Sequence, residues 1–191
     1  MKVSCVLRAT DIAAPAGIVL FPEGVELGEM RAASDAHPRS WVVGAVADQG
    51  MCRGLLLRGK SVLVDYLKVE SDGRTKGSEN PEQNSVFEDQ SCCIGVIICK
   101  DIDNLPFSER VLERLKASKA SYKILCIPAD MGSEWFNGPE LFPQARYSGI
   151  NVALCNHTRT HEARCKSFVT DVQGRKVNIQ RGTEPLNVML P

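Results

Sequence analysis

The sequence predicts an α/β fold, a mixed α/β sandwich. In the second half of the chain, short apolar runs rich in β-branched residues alternate with segments that suit helices. In the first half and at the end, pairs of apolar runs are joined by short turns that contain glycine, which is typical of β-hairpins. Layers of sheet and helix around a shared core account for both patterns.

Composition limits the function classes. At 191 residues the chain can bury a substantial core, and we expect a single domain over residues 1–191. The 23 basic and 23 acidic residues balance, which does not favour nucleic acid or an anionic membrane as a partner. No apolar run approaches the roughly 20 residues that span a bilayer, and Met1–Leu7 is too short and too soon polar for a secretory signal. Eight scattered cysteines without a C-x-x-C pair indicate a reduced, cytoplasmic protein, for which we expect no metal and no cofactor.

The first half is predicted to contain five strands and a short helix at Gly28–Ala36. The strands are Lys2–Leu7, Gly17–Phe21, Trp41–Val46 and the two hairpin arms Cys52–Leu57 and Ser61–Tyr66. Only Arg8–Ala16 separate the first two strands, and this stretch has no helical periodicity. Val69–Gln90 is strongly polar and rich in turn residues, so it is predicted to be a long loop.

The second half centres on Ile94–Cys99, a buried strand predicted to end at a cysteine. An amphipathic helix is predicted at Ser108–Lys119, with Ser108 as its N-cap. The other predicted elements are a helix at Pro139–Ser148 and strands at Ile124–Ile127, Asn151–Cys155, Lys166–Thr170 and Lys176–Gln180.

Three residues that can carry chemistry follow or close predicted strands: Glu23, Lys68 and Cys99. Taken singly, each has an ordinary structural explanation as a solvated glutamate, a surface lysine or a core cysteine. Together they can hydrolyse an amide, because a carboxylate can take the proton of an attacking thiol. The lysine and backbone N–H groups can then stabilise the negative charge on the carbonyl oxygen.

The segments around these residues resemble the signatures of the nitrilase (carbon–nitrogen hydrolase) superfamily. They are Phe21–Glu23, Tyr66–Lys68 and Gly95–Asp101, in the family's chain order. Further segments similar to the family are Leu105–Phe107, Ile124–Asp130 with Trp135, Ala145-Arg146, Val152–Asn156 and Phe168–Gly174. The resemblance therefore covers nearly the whole chain.

The resemblance implies a shortened nitrilase-like αββα sandwich with two mixed sheets, and an amidase that cleaves a small amide to a carboxylic acid and ammonia through a cysteine thioester. Glu23 would be the general base and acid, Lys68 would stabilise the tetrahedral intermediate, and Cys99 would be the nucleophile. The substrate-binding residues would be Lys100, Asp101, Pro128, Ala129, Asp130 and Trp135. Family subunits dimerise through helices near the nucleophile, so a homodimer or a larger homo-oligomer is expected.

The sequence also departs from the family. The family's long helix between the first two strands is missing at Arg8–Ala16, so one sheet face is expected to be less covered. Lys100 stands where the family usually has an aromatic residue, and Tyr147-Ser148 where it has a Glu-Asn pair. A second pocket glutamate is left open among Glu70, Glu79 and Glu82.

Other functions are consistent with the same residues. The missing helices suit a nitrilase-fold protein with little or no catalysis that acts as a binding or assembly module. An isochorismatase-like hydrolase would also use an acid, here Asp11, with a lysine and a cysteine, but it expects a cysteine that opens a helix. A metal site from His157, His161 and Cys165 is a further alternative, although their loop-like surroundings favour surface residues.

Overall fold

Twelve strands form two six-stranded sheets in the described part of the chain. The structure is a computed structural model, and it describes residues 1–6, 8–12, 17–48, 51–69, 84–130, 149–156, 167–179 and 185–190. The first sheet contains β1 (Lys2–Cys5), β2 (Ile18–Glu23), β3 (Trp41–Asp48), β4 (Met51–Arg58), β5 (Ser61–Leu67) and β12 (Leu186–Met189). The second contains β6 (Val86–Glu88), β7 (Cys92–Val96), β8 (Tyr122–Ala129), β9 (Asn151–Asn156), β10 (Phe168–Thr170) and β11 (Lys176–Ile179).

Both sheets are mixed, as predicted. The first has the order β12-β1-β2-β3-β4-β5, and the second has the order β11-β10-β9-β8-β7-β6. In the first sheet β1, β2 and β3 are parallel and the other pairs are antiparallel. In the second sheet β7, β8 and β9 are parallel, again with antiparallel neighbours. The parallel strands at the centre of each sheet bring several strand ends to one edge, where ligands bind in α/β proteins.

The main core lies between the two sheets. Buried side chains from the first sheet, such as Leu20 and Val43, belong to one apolar cluster with Ile94 and Leu125 of the second. Helix α2 (Leu105–Ala117) covers the outer face of the second sheet, and it approaches Gly95 so closely that a Cβ atom there would lie 2.9 Å from Leu115. The sandwich therefore has a helix layer on this side.

The first sheet has its own outer helix, α1 (Leu27–Ala36), which packs Met30 and Ala33 on a smaller apolar cluster. Between β1 and β2, by contrast, the described residues contain only a three-residue 3-10 turn at Ala9–Asp11. At the β12 end of this sheet, Met189 is 70% exposed on the outer face. The described part thus agrees with the expectation of a sheet that is less covered on one side.

Several predicted boundaries are wrong. The predicted strand Ile94–Cys99 instead runs from Cys92 to Val96, and a 3-10 helix begins at Cys99 and ends at Asp103. The predicted loop Val69–Gln90 contains a strand, because β6 pairs with β7 and thereby extends the second sheet.

The predicted helix Ser108–Lys119 also begins earlier, at Leu105. Its N-cap is Asn104, whose side-chain oxygen accepts the Phe107 N–H at 3.2 Å, and not Ser108. Pro106 is tolerated because the first turn of a helix needs no N–H donor there. The predicted helix Pro139–Ser148 lies outside the described residues. Among the described helices, none is both long and apolar enough to span a bilayer.

Candidate active site

The three predicted catalytic residues lie at one edge of the sandwich. Glu23 is the last residue of β2, Lys68 follows β5 directly, and Cys99 follows β7 after Ile97 and Ile98. Strands β2 and β5 run in the same direction, so their carboxyl ends meet at one edge of the first sheet. The structure therefore brings together residues that are far apart in the chain.

A proline directs the glutamate toward this edge. The ladder between β2 and β3 shifts register between Leu20 and Glu23, and Pro22 within this stretch cannot donate a ladder hydrogen bond. Such irregularities change the direction of the side chains that follow them. The Phe21-Pro22-Glu23 sequence thus coincides with the irregularity at the end of β2.

Lys68 and Glu23 form a nearly buried ion pair. Lys68 Nζ lies 2.6 Å from Glu23 Oε1, and the two side chains are 8% and 16% exposed. Burial lowers the pKa of Lys68, but the hydrogen bond to Glu23 and its negative charge outweigh this and leave that pKa raised. Lys68 is therefore an ammonium group that is held in place by a carboxylate.

Cys99 is buried beside this pair and rests as a thiol. Burial raises the pKa of Cys99 to about 12, and the charge of Glu23 and its hydrogen bond with the thiol act in the same direction. The backbone N–H of Asp130 and the charge of Lys68 oppose the rise without cancelling it. A thiol in this state can attack a carbonyl only when a base takes its proton, and Glu23 is in contact with it.

The backbone of Cys99 is strained. Its φ angle is 43°, the only positive φ of a non-glycine residue in the described part of the chain. This left-handed conformation is unfavourable for residues with a Cβ atom and occurs often at functional sites. The strain marks Cys99 independently of its contacts with Glu23.

A buried network joins the lysine segment to the cysteine segment. Both carboxylate oxygens of Asp101 accept the Val69 N–H, at 3.1 and 3.0 Å. The Tyr66 hydroxyl donates to Asp101 at 3.4 Å and accepts the Ile98 N–H. Burial raises the pKa of Tyr66, and the charge of Asp101 adds to this, so the hydroxyl keeps its proton. The network thus holds the residues that flank Lys68 against those that flank Cys99.

Sequence reasoning missed Cys52. Its thiol donates to Glu23 Oε1 at 3.4 Å, and its carbonyl accepts the Lys68 N–H at 2.9 Å. No signal in the sequence specifies this contact, because counting outward from the Gly59 turn pairs Cys52 with Leu67, and only a register shift between Leu56 and Leu57 places it opposite Lys68.

Comparisons with known proteins agree with this architecture. No family model matches the sequence, and no curated protein matches it. One similar solved structure is a CN-hydrolase superfamily protein from Xanthomonas campestris with an arsenic adduct in its active site. It superimposes with a TM-score of 0.75 at 14% identity, and the match covers 98% of this chain and 89% of the other. Nit3 from Saccharomyces cerevisiae, a member of branch 10 of the nitrilase superfamily, gives a TM-score of 0.73 at 14% identity, covering 98% and 89%.

This chain has the nitrilase fold. A third structure with this fold is a mutant amidase from Nesterenkonia sp. AN1, in which acrylamide is added to the active-site cysteine. It gives a TM-score of 0.71 at 17% identity, covering 100% of this chain and 93% of the other. The fold class predicted from the three motifs is therefore confirmed, and the chain spans nearly the full length of these structures.

The predicted substrate-binding residues have different surroundings on this nitrilase fold. Pro128 and Ala129 are buried at the end of β8, and the Asp130 that follows contacts the Cys99 sulfur through its backbone. Lys100 is exposed, whereas Asp101 is fully buried within the Tyr66 network. Trp135 and the three alternative pocket glutamates, Glu70, Glu79 and Glu82, lie outside the described residues.

The alternative sites depend on other residues of the chain. Asp11, the acid of the isochorismatase-like alternative, accepts the Arg8 N–H at 2.9 Å in an exposed turn. His157, His161 and Cys165 lie outside the described residues. Within the part of the chain that is described, no three metal-ligating side chains are grouped closely enough to hold an ion.

Proposed function

We propose that the protein is a carbon–nitrogen hydrolase of the amidase type, which cleaves a small amide to a carboxylic acid and ammonia. The observation that carries the proposal is the Lys68–Glu23 ion pair beside a buried, protonated Cys99. A thiol needs a base, an oxyanion needs a cation, and this edge of the sandwich supplies both. The amidase among the similar structures has an active-site cysteine of its own, which supports the assignment by analogy of fold.

In the proposed first half-reaction, Glu23 takes the proton of the Cys99 thiol while the sulfur attacks the amide carbonyl carbon. The carbonyl electron pair moves to oxygen, where the Lys68 ammonium and the Lys100 backbone N–H stabilise the negative charge. As the oxyanion collapses, the carbon–nitrogen bond breaks and Glu23 returns its proton to the leaving nitrogen. Ammonia departs, and a thioester on Cys99 remains.

In the second half-reaction, water attacks the thioester and gives a proton to Glu23. Collapse of this second tetrahedral intermediate breaks the carbon–sulfur bond, and the sulfur recovers its proton from Glu23. The carboxylic acid leaves, and the enzyme returns to its starting state. One carboxylate serves as base and acid in turn, which requires that it stay close to Cys99 throughout.

Substrate contacts are assigned to the backbone around Asp130 and to Lys100, Pro128, Ala129 and Trp135. Asp101 is assigned to the same site through its hydrogen bonds to the lysine segment. We also propose a homo-oligomer, supported by the incompletely covered first sheet, and a cytoplasmic location, supported by seven free cysteines among the described residues. Light scattering of the purified protein tests the first, and fractionation of cells that express it tests the second.

The activity is tested by ammonia release from a panel of small aliphatic and aromatic primary amides, together with intact mass spectrometry of the protein. We expect the wild type to release ammonia from at least one amide and to show a thioester adduct, and Cys99→Ala to do neither. Cys126→Ala is the matched control, because Cys126 is buried in β8 and has no contact with Glu23 among the described residues. Ammonia release by Cys99→Ala at the wild-type rate would overturn the proposal. A folded wild type that is silent across the panel would overturn it in favour of the binding or assembly module.

A further inference from the structure

We propose that Cys52 is a positioning residue that orients Glu23, and that Glu23 Oε2 is the oxygen that takes the Cys99 proton. This inference rests on the proposed function for its chemistry. The thiols of Cys52 and Cys99 both lie beside the Glu23 carboxylate, and only Cys99 reacts.

One oxygen of the Glu23 carboxylate already accepts two hydrogen bonds. Glu23 Oε1 accepts from Lys68 Nζ at 2.6 Å and from Cys52 Sγ at 3.4 Å. A carboxylate oxygen has about two lone-pair sites, so these two donors use the accepting capacity of Oε1. The proton of Cys99 must therefore go to the other oxygen, Oε2.

Cys52 is held beside both Glu23 and Lys68. Strand β4 is antiparallel to its neighbours β3 and β5, and β2 is parallel to β3. The amino-terminal end of β4 therefore lies at the same sheet edge as the carboxyl ends of β2 and β5. The Cys52 carbonyl accepts the Lys68 N–H at 2.9 Å, while the Cys52 thiol and the Lys68 ammonium share one oxygen of Glu23. Three strands thus fix the rotation of a single carboxylate, which is how a supporting residue sets catalytic geometry.

The Cys52 thiol remains a hydrogen-bond donor. Its residue is only 7% exposed, and burial raises the pKa of its thiol, with the charge of Glu23 acting in the same direction. The oxygen that Cys52 contacts is already bound to the Lys68 ammonium, which makes that oxygen a poor base. Cys52 therefore keeps its proton, whereas Cys99 gives its proton to the more basic Oε2. The two thiols share a base but have different roles.

The inference is tested with an isosteric pair of variants, Cys52→Thr and Cys52→Val. Both side chains have the same shape and suit a strand, but only threonine retains a hydrogen-bond donor. The readout is the rate at which iodoacetamide alkylates Cys99, measured by peptide mass spectrometry from pH 6 to pH 9, which needs no amide substrate.

We expect Cys52→Val to slow Cys99 alkylation by roughly tenfold, and Cys52→Thr to stay within about threefold of the wild type. Recovery of the rate by threonine but not by valine is a result that a merely structural role for Cys52 would not give. Cys5→Ala is the control, because Cys5 is also buried and donates to a carbonyl, that of Leu154, at 3.8 Å.

A wild-type alkylation rate in folded Cys52→Val would overturn the inference, and so would an equal slowing in Cys5→Ala. If the β-branched pair fails to fold, Cys52→Ser and Cys52→Ala provide the same comparison. If the alkylation rate depends on the hydrogen-bond donor at position 52 but no amide is hydrolysed, the inference stands and the proposed function is rejected.

A crystal structure of Glu23→Gln tests the oxygen assignment. We expect Lys68 and Cys52 to contact the amide oxygen with the amide nitrogen toward Cys99, and a Cys52 contact on the Cys99 side would refute it.

Discussion

Asp101 accepts the backbone N–H of Val69 with both of its carboxylate oxygens, at 3.1 and 3.0 Å. The two residues lie just beyond Cys99 and Lys68, the nucleophile and the cation of the proposed site. Asp101 is fully buried, and Val69 is half-buried. The distance between the proposed nucleophile and its lysine therefore depends on a hydrogen bond that neither residue makes.

Asp101→Ala should lower the free energy of unfolding by about 1–3 kcal/mol, because it leaves the Val69 N–H and the Tyr66 hydroxyl without their acceptor in the interior. Urea denaturation measures the change. Asp35→Ala, at an exposed position of α1, should change stability by less than about 0.5 kcal/mol. An effect of Asp101→Ala no larger than that of Asp35→Ala would show that the contact does not stabilise the fold.

Lys68→Met should destabilise the protein by about 3 kcal/mol, because it leaves Glu23 as a nearly buried carboxylate without its cation. It should also abolish amide turnover under the proposed function. Arg53→Met is the control, since the Arg53–Asp65 ion pair lies in the same sheet with side chains 37% and 38% exposed. That exposed pair should contribute less than about 1 kcal/mol. Similar losses in both variants, measured by urea denaturation, would contradict the expectation.

Gly95→Ala should destabilise the protein by about 1–3 kcal/mol, because its Cβ atom would lie 2.9 Å from Leu115 and 3.2 Å from Val111. Helix α2 would have to move away from β7, the strand that leads to Cys99. Gly28→Ala is the matched control in α1, where an added Cβ atom meets nothing within 4 Å. It should stabilise the protein by up to about 1 kcal/mol. Thermal and urea unfolding measure both, and a loss in both variants alike would reject the packing argument.

The free energy of unfolding should fall as pH rises above 9.0, and Cys126 should contribute to this fall. Burial raises the pKa of Cys126 above the ordinary value of 9.0, so above that pH the unfolded chain has lost a proton that the folded chain keeps. The stabilisation is complete below pH 9.0 and is lost at higher pH, at about 1.4 kcal/mol per pH unit for one such group.

Cys126→Ala should therefore show a shallower decrease in stability between pH 9 and pH 10.5, whatever its stability at neutral pH. Val152→Ala, a truncation in the neighbouring strand β9 without a titratable group, should keep the wild-type slope. Urea denaturation at a series of pH values measures the slopes, and equal slopes in all three proteins would disprove the assignment to Cys126.

The sequence by itself determined the residue types of the candidate site and most of the elements that carry them. Period-two and continuous apolar runs identify β2, β3, β4, β5, β8 and β9. A strand that is buried on one face alternates apolar and polar residues, and a strand that is buried on both faces is apolar throughout. The resemblance of the segments around Glu23, Lys68 and Cys99 to the nitrilase signatures predicted the fold that the comparisons confirm.

The tertiary structure decided which residues contact one another. Strand β12 pairs with β1 from the other end of the chain, and the three-residue strand β6 forms only because β7 is beside it. Cys52 donates to Glu23, and Asp101 accepts from Val69, through contacts that no local pattern specifies. The physical reason is that hydrophobic periodicity is a short-range property of the chain, whereas a hydrogen-bond partner is set by which strands become neighbours when the two sheets pack together.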